Sequence, residues 1–279
     1  MVEKPKPLSV INSFRLLFIK ALFNTSYFGR RVISGKADSG VTFDHVYINQ
    51  PKGHIPIFGK LVDRIILNFP SLKATRARWM HISNEVLALA EDIAPGGGTV
   101  RIIDLASGVS RYLVDLAKGT TRFELECVCV DKDHEALYLG KRISDPKYFR
   151  FCRANLFASN RLLQFGLSRG WRPHIAVATG FVEYLEKESL SVLLRNLNQL
   201  LVEEGYLILS SQIKNPSRYL MENICKTSDG KSWKLFYRKP EFVRDLLEGH
   251  GFAVSNVHID GLGMYSIFTA KKVVLPKAP

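Results

Sequence analysis

The order of apolar segments after residue 98 constrains the fold of this chain more than any other feature. Short strand-like runs such as Val100–Ala106 alternate with helix-like segments, the clearest of which repeats leucine at helical spacing over 190–201. This alternation is typical of a parallel sheet covered by helices on both faces. The last two strand-like runs, 252–259 and 264–271, are joined by a turn too short for a parallel crossover. We therefore predict a mostly parallel α/β sheet that ends in an antiparallel hairpin.

Residues 1–79 do not continue this alternation. They contain turn signals and two helix-like stretches, at 8–28 and 59–67. We predict that residues 1–79 form an N-terminal helical cap or lid over the carboxyl edge of the sheet. The ligand-binding domain is then expected to cover residues 80–279.

The first helix-like stretch is apolar and aromatic, but Arg15 and Lys20 interrupt it. No uncharged run reaches the roughly 18–20 residues that a membrane span needs, and no cleavage site of a secretory signal follows. We expect the apolar face to pack on the protein's own core, and the alternative is that it lies in a membrane interface. This face is predicted to contain Ile11, Phe14, Leu17, Phe18 and Leu22.

The net charge of +13 is unevenly distributed along the chain. Residues 1–80 hold 13 Lys/Arg against 4 Asp/Glu, residues 81–212 are nearly neutral, and residues 213–279 are basic again. Basic flanks indicate an anionic partner, namely a membrane surface, a nucleic acid or an acidic substrate, and charge for solubility is the alternative. The four cysteines are too few for a disulfide framework and show no zinc spacing. We therefore predict a cytoplasmic setting, with membrane association as an option, and no metal.

The loops that follow the predicted strands carry candidate ligand contacts, because ligands of open α/β sheets bind at the carboxyl ends of the strands. Small residues in the turn 104–110 let the backbone approach a ligand beside the amides of a helix N-terminus. Asp104 is placed to meet a positive amino group, and Asp131 to accept hydrogen bonds from two ribose hydroxyls. A tight structural turn and a helix cap are the alternatives. The predicted cofactor contacts are Asp104, Ala106, Ser107, Gly108, Asp131, Asn155, Thr179 and Gly180.

Asn155 follows the third strand and is predicted to read an adenine edge, with Leu156 or Phe157 covering the ring. A simple turn residue is the alternative. The loop 179–184 follows the fourth strand and is expected to face the substrate.

Two residues are predicted to be catalytic. Glu183 is the first candidate for a general base or a cation partner, and a surface carboxylate at a helix start is the alternative. His258 is the second candidate, followed by His45 and His54, although a histidine is more often structural than catalytic.

Several segments together resemble one known family. They are IIDLASGVSRYLVD, LILSSQ at 207–212, GKSWKLFYRKPEFVRDLLEGHGF and HIDGLGMYSIFTA. Over about residues 42–272 the chain is similar to class I S-adenosylmethionine-dependent methyltransferases that often form the C-terminal half of fused α/β-hydrolase–methyltransferase proteins. The resemblance implies a Rossmann-like class I fold with S-adenosylmethionine as cofactor. It also implies that Gly108, Asp131 and Asn155 contact the cofactor and that Gln212, Trp233 and Arg238 line a family-specific pocket.

The chain departs from the family pattern at two places. The glycine-rich loop of the family has glycines where this chain has Ala106 and Ser110, and we expect Ser110 to exclude backbone conformations that glycine allows. Ile213–Lys214 replaces the Trp-His pair that follows the strand-five Gln, which suggests a different substrate. Tyr237 is added to the predicted substrate pocket, and Arg238 is expected to anchor a phosphate or carboxylate.

These observations predict an S-adenosylmethionine-dependent methyltransferase that acts on a small or lipid-like acceptor by in-line methyl transfer. The basic, aromatic N-terminal segment is expected to act either as a lid or as a peripheral membrane contact. An RNA methyltransferase is one alternative, although the sequence shows no separate RNA-binding module. A non-catalytic S-adenosylmethionine-binding protein is another. A nicotinamide enzyme is disfavoured by the missing Gly-x-Gly-x-x-Gly motif and by the closing hairpin.

Overall fold

The computed structural model describes residues 10–156 and 170–273, with side chains from residue 14 onward. The predicted helix 156–167, and with it Phe157, falls almost wholly outside these residues. The chain divides into two compact units. The helical unit comprises residues 1–73 and 217–234, and the sheet unit comprises residues 74–216 and 235–279. Nothing in the sequence pattern predicted that 217–234 belongs with the N-terminal residues.

The helical unit is built from short helices with side-chain caps. The Ser26 hydroxyl accepts a hydrogen bond from the Gly29 N–H, and Ser39 does the same for Val41, so that each serine satisfies a free amide of a helix start. The structure adds helices that the sequence pattern did not predict, at 40–48 and 218–224. The helices are α1 (Val10–Thr25), α2 (Tyr27–Ile33), α3 (Gly40–Ile48), α4 (Phe58–Leu67) and α9 (Arg218–Ile224).

The expected packing of α1 is wrong in its detail. Phe14, Leu17 and Phe18 are exposed, whereas Leu16 and Phe23 are buried. The buried side of this helix is therefore opposite to the apolar face that was predicted to pack on the core. No helix among the described residues is both long enough and apolar enough to cross a membrane.

The sheet unit contains seven strands in the order β3-β2-β1-β4-β5-β7-β6. The first five strands run parallel, and β7 pairs antiparallel with both β5 and β6. The predicted mostly parallel sheet with an antiparallel C-terminal hairpin is confirmed. The strands are β1 (Thr99–Leu105), β2 (Glu124–Asp131), β3 (Phe149–Arg153), β4 (Ile175–Ala178), β5 (Tyr206–Gln212), β6 (Phe252–Ile259) and β7 (Tyr265–Lys272).

Helices cover both faces of the sheet, because alternate residues of each buried strand point to opposite sides. On β1, Ile103 packs in one core with the leucines of the helix at residues 187–200. Ile102 packs in the second core, on the other face, with Val86. A short 3₁₀ helix, Val182–Tyr184, follows β4. The remaining helices are α5 (Pro70–Ile93), α6 (Arg111–Gly119), α7 (His134–Ile143), α8 (Lys187–Leu200) and α10 (Pro240–Glu248).

Candidate active site

The turn between β1 and α6 has an unusual backbone. Ala106, Gly108 and Ser110 have φ values of 52°, 55° and 54°, so all three occupy the left-handed region. This region favours glycine, and an alanine or serine there costs about 1–2 kcal/mol. The expectation that Ser110 excludes such conformations is wrong. The turn keeps a glycine-like shape at two positions that lack glycine.

Asp104 explains how Ser110 is held. The Ser110 hydroxyl donates a 2.7 Å hydrogen bond to Asp104 Oδ2, and both side chains are buried. Burial raises the pKa of Asp104 to about 7, and the Ser110 and Tyr112 hydroxyls partly oppose this rise. The structure thus gives Asp104 a role in holding the turn. Its predicted contact with a ligand amino group stays a prediction.

Asp131, at the end of β2, is joined directly to the same turn. Its carboxylate accepts hydrogen bonds from the Gly108 N–H at 2.7 Å and from the Asp133 N–H at 2.8 Å. Burial raises its pKa, while these amides act in the opposite direction. The Lys132 amide also lowers this pKa. A carboxylate offers about four lone-pair positions, so the two hydrogen bonds from Gly108 and Asp133 do not exhaust its capacity to accept. Asp133 itself caps α7 by accepting from the Glu135 and Ala136 amides.

The other predicted cofactor contacts follow β3 and β4. Asn155 is exposed just after β3, and Thr179 is half-buried just after β4. Gly180 has a φ of 70°, and its N–H donates a 3.2 Å hydrogen bond to Ser210 Oγ. A Cβ at Gly180 would lie 3.1 Å from a guanidinium nitrogen of Arg78, so a larger residue would crowd that side chain. Arg78 was not among the predicted site residues.

Glu183 lies in the 3₁₀ helix after β4 and is fully buried. Among the described residues, neither of its carboxylate oxygens has a hydrogen-bond partner. Burial raises its pKa, and the charges of Arg78 and Arg238 partly offset this effect. The alternative of a surface carboxylate is therefore wrong. Burying a carboxylate without hydrogen bonds costs free energy, which makes Glu183 a candidate functional residue.

Arg238 supports the backbone around Glu183. Its guanidinium donates hydrogen bonds to the carbonyl oxygens of Val182, at 3.1 Å, and Leu185. The Phe236 N–H donates to the Glu183 carbonyl oxygen at 2.8 Å. Arg238 thus fixes the loop that carries Glu183. Its expected role as an anchor for a phosphate or carboxylate stays a prediction.

Gln212 belongs to a buried polar group at the end of β5. Its side-chain amide donates a 3.2 Å hydrogen bond to the Tyr265 hydroxyl and accepts one from Asn215 at 3.1 Å. The Tyr265 hydroxyl also lies 3.1 Å from Thr75 Oγ1, and the Arg78 guanidinium lies over the tyrosine ring at 4.5 Å. Tyr265 therefore links β7, β5 and α5, and sequence reasoning missed it.

The remaining predicted residues lie elsewhere. Trp233 belongs to the helical unit, where its ring meets Phe43 edge-on at 6.2 Å, and Tyr237 is half-buried in the sheet unit. His258 is exposed on β6 and stacks on His81 at 3.9 Å, so its catalytic role gains no support from a buried position. His45 is buried in the helical unit, where it pairs with Asp63 at 2.7 Å. The described residues contain no cluster of His, Cys, Asp and Glu that could hold a metal ion.

A family whose description reads "Putative methyltransferase" matches residues 21–272 of the chain. The chain belongs to this methyltransferase family. The match begins before residue 42, where the sequence resemblance was expected to start, and so includes the last five residues of α1. The sheet has the Rossmann-like class I fold, in agreement with membership of this family.

Individual proteins are similar over most of this chain. The Escherichia coli protein YnbC is 27% identical over 275 residues, which are 95% of this chain and 46% of YnbC. The chain thus spans just under half the length of that relative. A possible exported protein from Bordetella parapertussis has a similar structure, with a TM-score of 0.70, 16% identity and coverage of 97% and 90% of the two chains. Magnesium protoporphyrin IX methyltransferase from Synechocystis, solved with bound SAH, is also similar in structure. Its TM-score is 0.55 at 14% identity, and the match covers 92% of this chain and 99% of the Synechocystis chain. These two structures support the fold.

Proposed function

We propose that this protein transfers a methyl group from S-adenosylmethionine, which it binds at the carboxyl ends of β1 and β2. The observation that carries this proposal is the turn at 106–110, whose left-handed backbone is tied to Asp131 by the Gly108 amide. Strained backbone conformations, such as those of Ala106 and Ser110, are found at functional sites more often than elsewhere. The Synechocystis relative, which binds the demethylated product SAH, shares the fold.

The residues at this edge fit the proposed cofactor. Asp131 is expected to accept hydrogen bonds from the ribose hydroxyls, and Ala106 and Ser107 leave room for close approach to the backbone. Asn155 is exposed just after β3 and is proposed to read the adenine edge, while Thr179 and Gly180 follow β4 at the same edge of the sheet. When bound, S-adenosylmethionine supplies an electrophilic methyl group on a sulfonium.

Glu183 is the residue that we propose as general base. Because its carboxylate is buried and has no hydrogen-bond partner among the described residues, its raised pKa strengthens it as a proton acceptor. It would take the proton of an acceptor hydroxyl or amine as the methyl group is transferred. Arg238 holds the backbone at Val182 and Leu185 and so positions this carboxylate. The burial of this region also keeps water away from the reacting groups.

The acceptor that we propose is a small or lipid-like molecule. Arg78, whose charge acts on Glu183, lies over the ring of Tyr265, and the Tyr265 hydroxyl is hydrogen-bonded to Gln212. Both Tyr265 and Gln212 are buried, so this region mixes aromatic and polar groups. Ser211, on β5, has a buried hydroxyl without a partner among the described residues and is available to a bound acceptor. We also propose that the chain corresponds to the methyltransferase half of longer fused proteins, which agrees with its match to 46% of YnbC.

Calorimetry with S-adenosylmethionine and S-adenosylhomocysteine tests the cofactor assignment. We expect both to bind at a single site. Transfer of a labelled methyl group to fractionated lipid, metabolite and RNA extracts then identifies the acceptor, and we expect label in a lipid or metabolite fraction. Label in RNA alone would overturn the acceptor class, and binding without transfer to any fraction would indicate a non-catalytic binding protein. Absence of binding would overturn the whole proposal.

A further inference from the structure

Helix α1 presents an apolar strip to solvent. Phe14, Leu17 and Phe18 are 69%, 62% and 71% exposed, and Ala21 is exposed one turn further on. Their spacing of three, four and seven residues places them on one side of the helix. Leu16 and Phe23 of the same helix are buried, so one side of α1 packs within the protein and the other side is exposed to solvent.

Helix α4, which packs against α1 in the helical unit, repeats this arrangement. Phe58, Leu61 and Ile65 are exposed on one side, while Val62 and Ile66 are buried. The residue before the helix, Ile57, is 87% exposed and has a φ of 63°. A β-branched residue with positive φ is a genuine backbone outlier. Among the residues that the structure describes, two helices thus each carry an apolar strip without a packing partner.

The charges beside both strips are positive. Arg15 is exposed and Lys20 half-buried on α1, and Lys60 and Arg64 are exposed on α4. Helix α1 contains no acidic residue. The single acid of α4, Asp63, is fully buried, where it accepts hydrogen bonds from the Phe28 and Lys52 amides and pairs with His45. No acid of either helix therefore neutralises the exposed cations.

We propose that α1 and α4 form a docking surface for the face of an anionic phospholipid membrane. Aromatic and aliphatic side chains that enter the boundary between headgroups and acyl chains, flanked by Lys and Arg that meet anionic headgroups, are the features of interfacial helices. A second copy of this chain fits less well, because it would bring like charges together, and lysine is depleted at protein interfaces. The binding that we propose is peripheral, with both helices at the membrane surface. The proposal does not depend on the proposed methyl transfer.

Co-sedimentation with vesicles tests this surface without any cofactor. We expect the full chain to bind vesicles of phosphatidylcholine with phosphatidylglycerol, and to bind pure phosphatidylcholine vesicles at least tenfold more weakly. The double variant Phe14→Ser with Phe18→Ser should lose at least tenfold in partitioning, and so should Leu61→Ser with Ile65→Ser. Tyr138→Ser, at a residue 58% exposed in the sheet unit, is the matched control and should bind as the wild type does.

A charge pair completes the test. Lys60→Gln with Arg64→Gln should weaken binding to anionic vesicles several-fold, whereas Lys118→Gln with Lys141→Gln, two exposed lysines of the sheet unit, should not. Binding that neither apolar variant reduces, or that ignores lipid charge, would overturn the proposal. A wild-type dimer in light scattering that the α1 variant converts to monomer would assign the surface to self-association and overturn it as well. Circular dichroism confirms that each variant is folded.

Discussion

Two buried carboxylates at the carboxyl edge of the sheet have very different hydrogen-bonding environments. Asp131 accepts two backbone hydrogen bonds and ties the β1 turn to the end of β2. Glu183 accepts none among the described residues, although Arg78 and Arg238 act on it through their charges. A carboxylate fixed by amides suits a constant binding task, whereas an unsatisfied one suits proton transfer. The comparison supports the proposal that Asp131 binds the cofactor and that Glu183 takes part in the chemistry.

The largest effect is expected at Glu183. Glu183→Gln keeps the shape of the side chain but cannot take a proton, so methyl transfer should fall by about a thousandfold, within the usual range for general bases. Affinity for S-adenosylhomocysteine should stay within about twofold, as measured by calorimetry. Glu186→Gln, three residues later and exposed, is the control and should keep full activity. Full activity of Glu183→Gln would remove the distinction between the two carboxylates.

Asp104 provides a test through pH. Because its pKa is raised to about 7 in the folded protein, the folded state binds this proton more tightly than the unfolded state does. Its contribution to stability is therefore greatest below its unfolded pKa and is lost as the pH rises towards 7. Between about pH 5.5 and pH 7.5, the wild type should therefore lose about 2 kcal/mol more of its unfolding free energy than Asp104→Asn does.

Urea unfolding at the two pH values measures this change. The asparagine can still accept the hydrogen bond from Ser110, so the turn itself should persist. Asp131 and Glu183 also have raised pKa values and should leave a remaining dependence of the same sign. An unchanged pH dependence in Asp104→Asn would contradict the assignment of this carboxyl as a neutral, buried group near neutral pH.

Asp131→Ala tests the proposed role of the other carboxylate, which is to bind the ribose of the cofactor. Removing the carboxylate deletes the predicted ribose contact and frees the Gly108 amide, so affinity for S-adenosylmethionine should fall at least tenfold, or about 1.4 kcal/mol. Asp133→Ala is the matched control. It should lose about 1 kcal/mol of stability through its lost helix cap but keep its cofactor affinity. Equal affinity in Asp131→Ala and the wild type would show that the ribose assignment is wrong.

The smallest effect is expected at Ala106. Because its φ is 52°, glycine should relieve the backbone cost, and Ala106→Gly should stabilise the protein by about 1 kcal/mol or slightly less. Ala117→Gly, in the interior of α6, is the control and should destabilise by about the same amount. Thermal unfolding of the two variants compares them directly, and the same sign for both would argue against a left-handed conformation at Ala106.

The sheet could be predicted because every strand is a short apolar run with a clear end. The predicted strand Phe252–Ile259 has the bounds of β6, and the others differ by a residue or so at their ends. Helix α5 was missed, although Ile82, Val86 and Ala90 recur at a spacing of four and Pro70 stands at its start. The charges of Lys73, Arg76 and Arg78 in the first half of the helix obscured this signal. The exposed side of α1 could not be predicted, because apolar residues occur on both of its sides.

The candidate site was predictable where its residues follow strands in sequence. Asp104 and Asp131 lie at the ends of β1 and β2, and Glu183 lies in the 3₁₀ helix that follows β4, so the parallel topology places them at one edge. Arg78 and Tyr265 were missed because α5 and β7 bring them to this region from distant parts of the chain. The conformation of Ala106 and Ser110 was missed as well, because it depends on the hydrogen bond between Ser110 and Asp104 and not on residue type alone.

A crystal structure with S-adenosylhomocysteine tests the central claim most directly. We predict that the adenosyl group will lie beside the turn at 106–110, with both ribose hydroxyls hydrogen-bonded to Asp131 and the sulfur on the side facing Glu183. At saturating ligand, an empty edge at β1 and β2, or a ligand bound away from Asp131, would contradict the account.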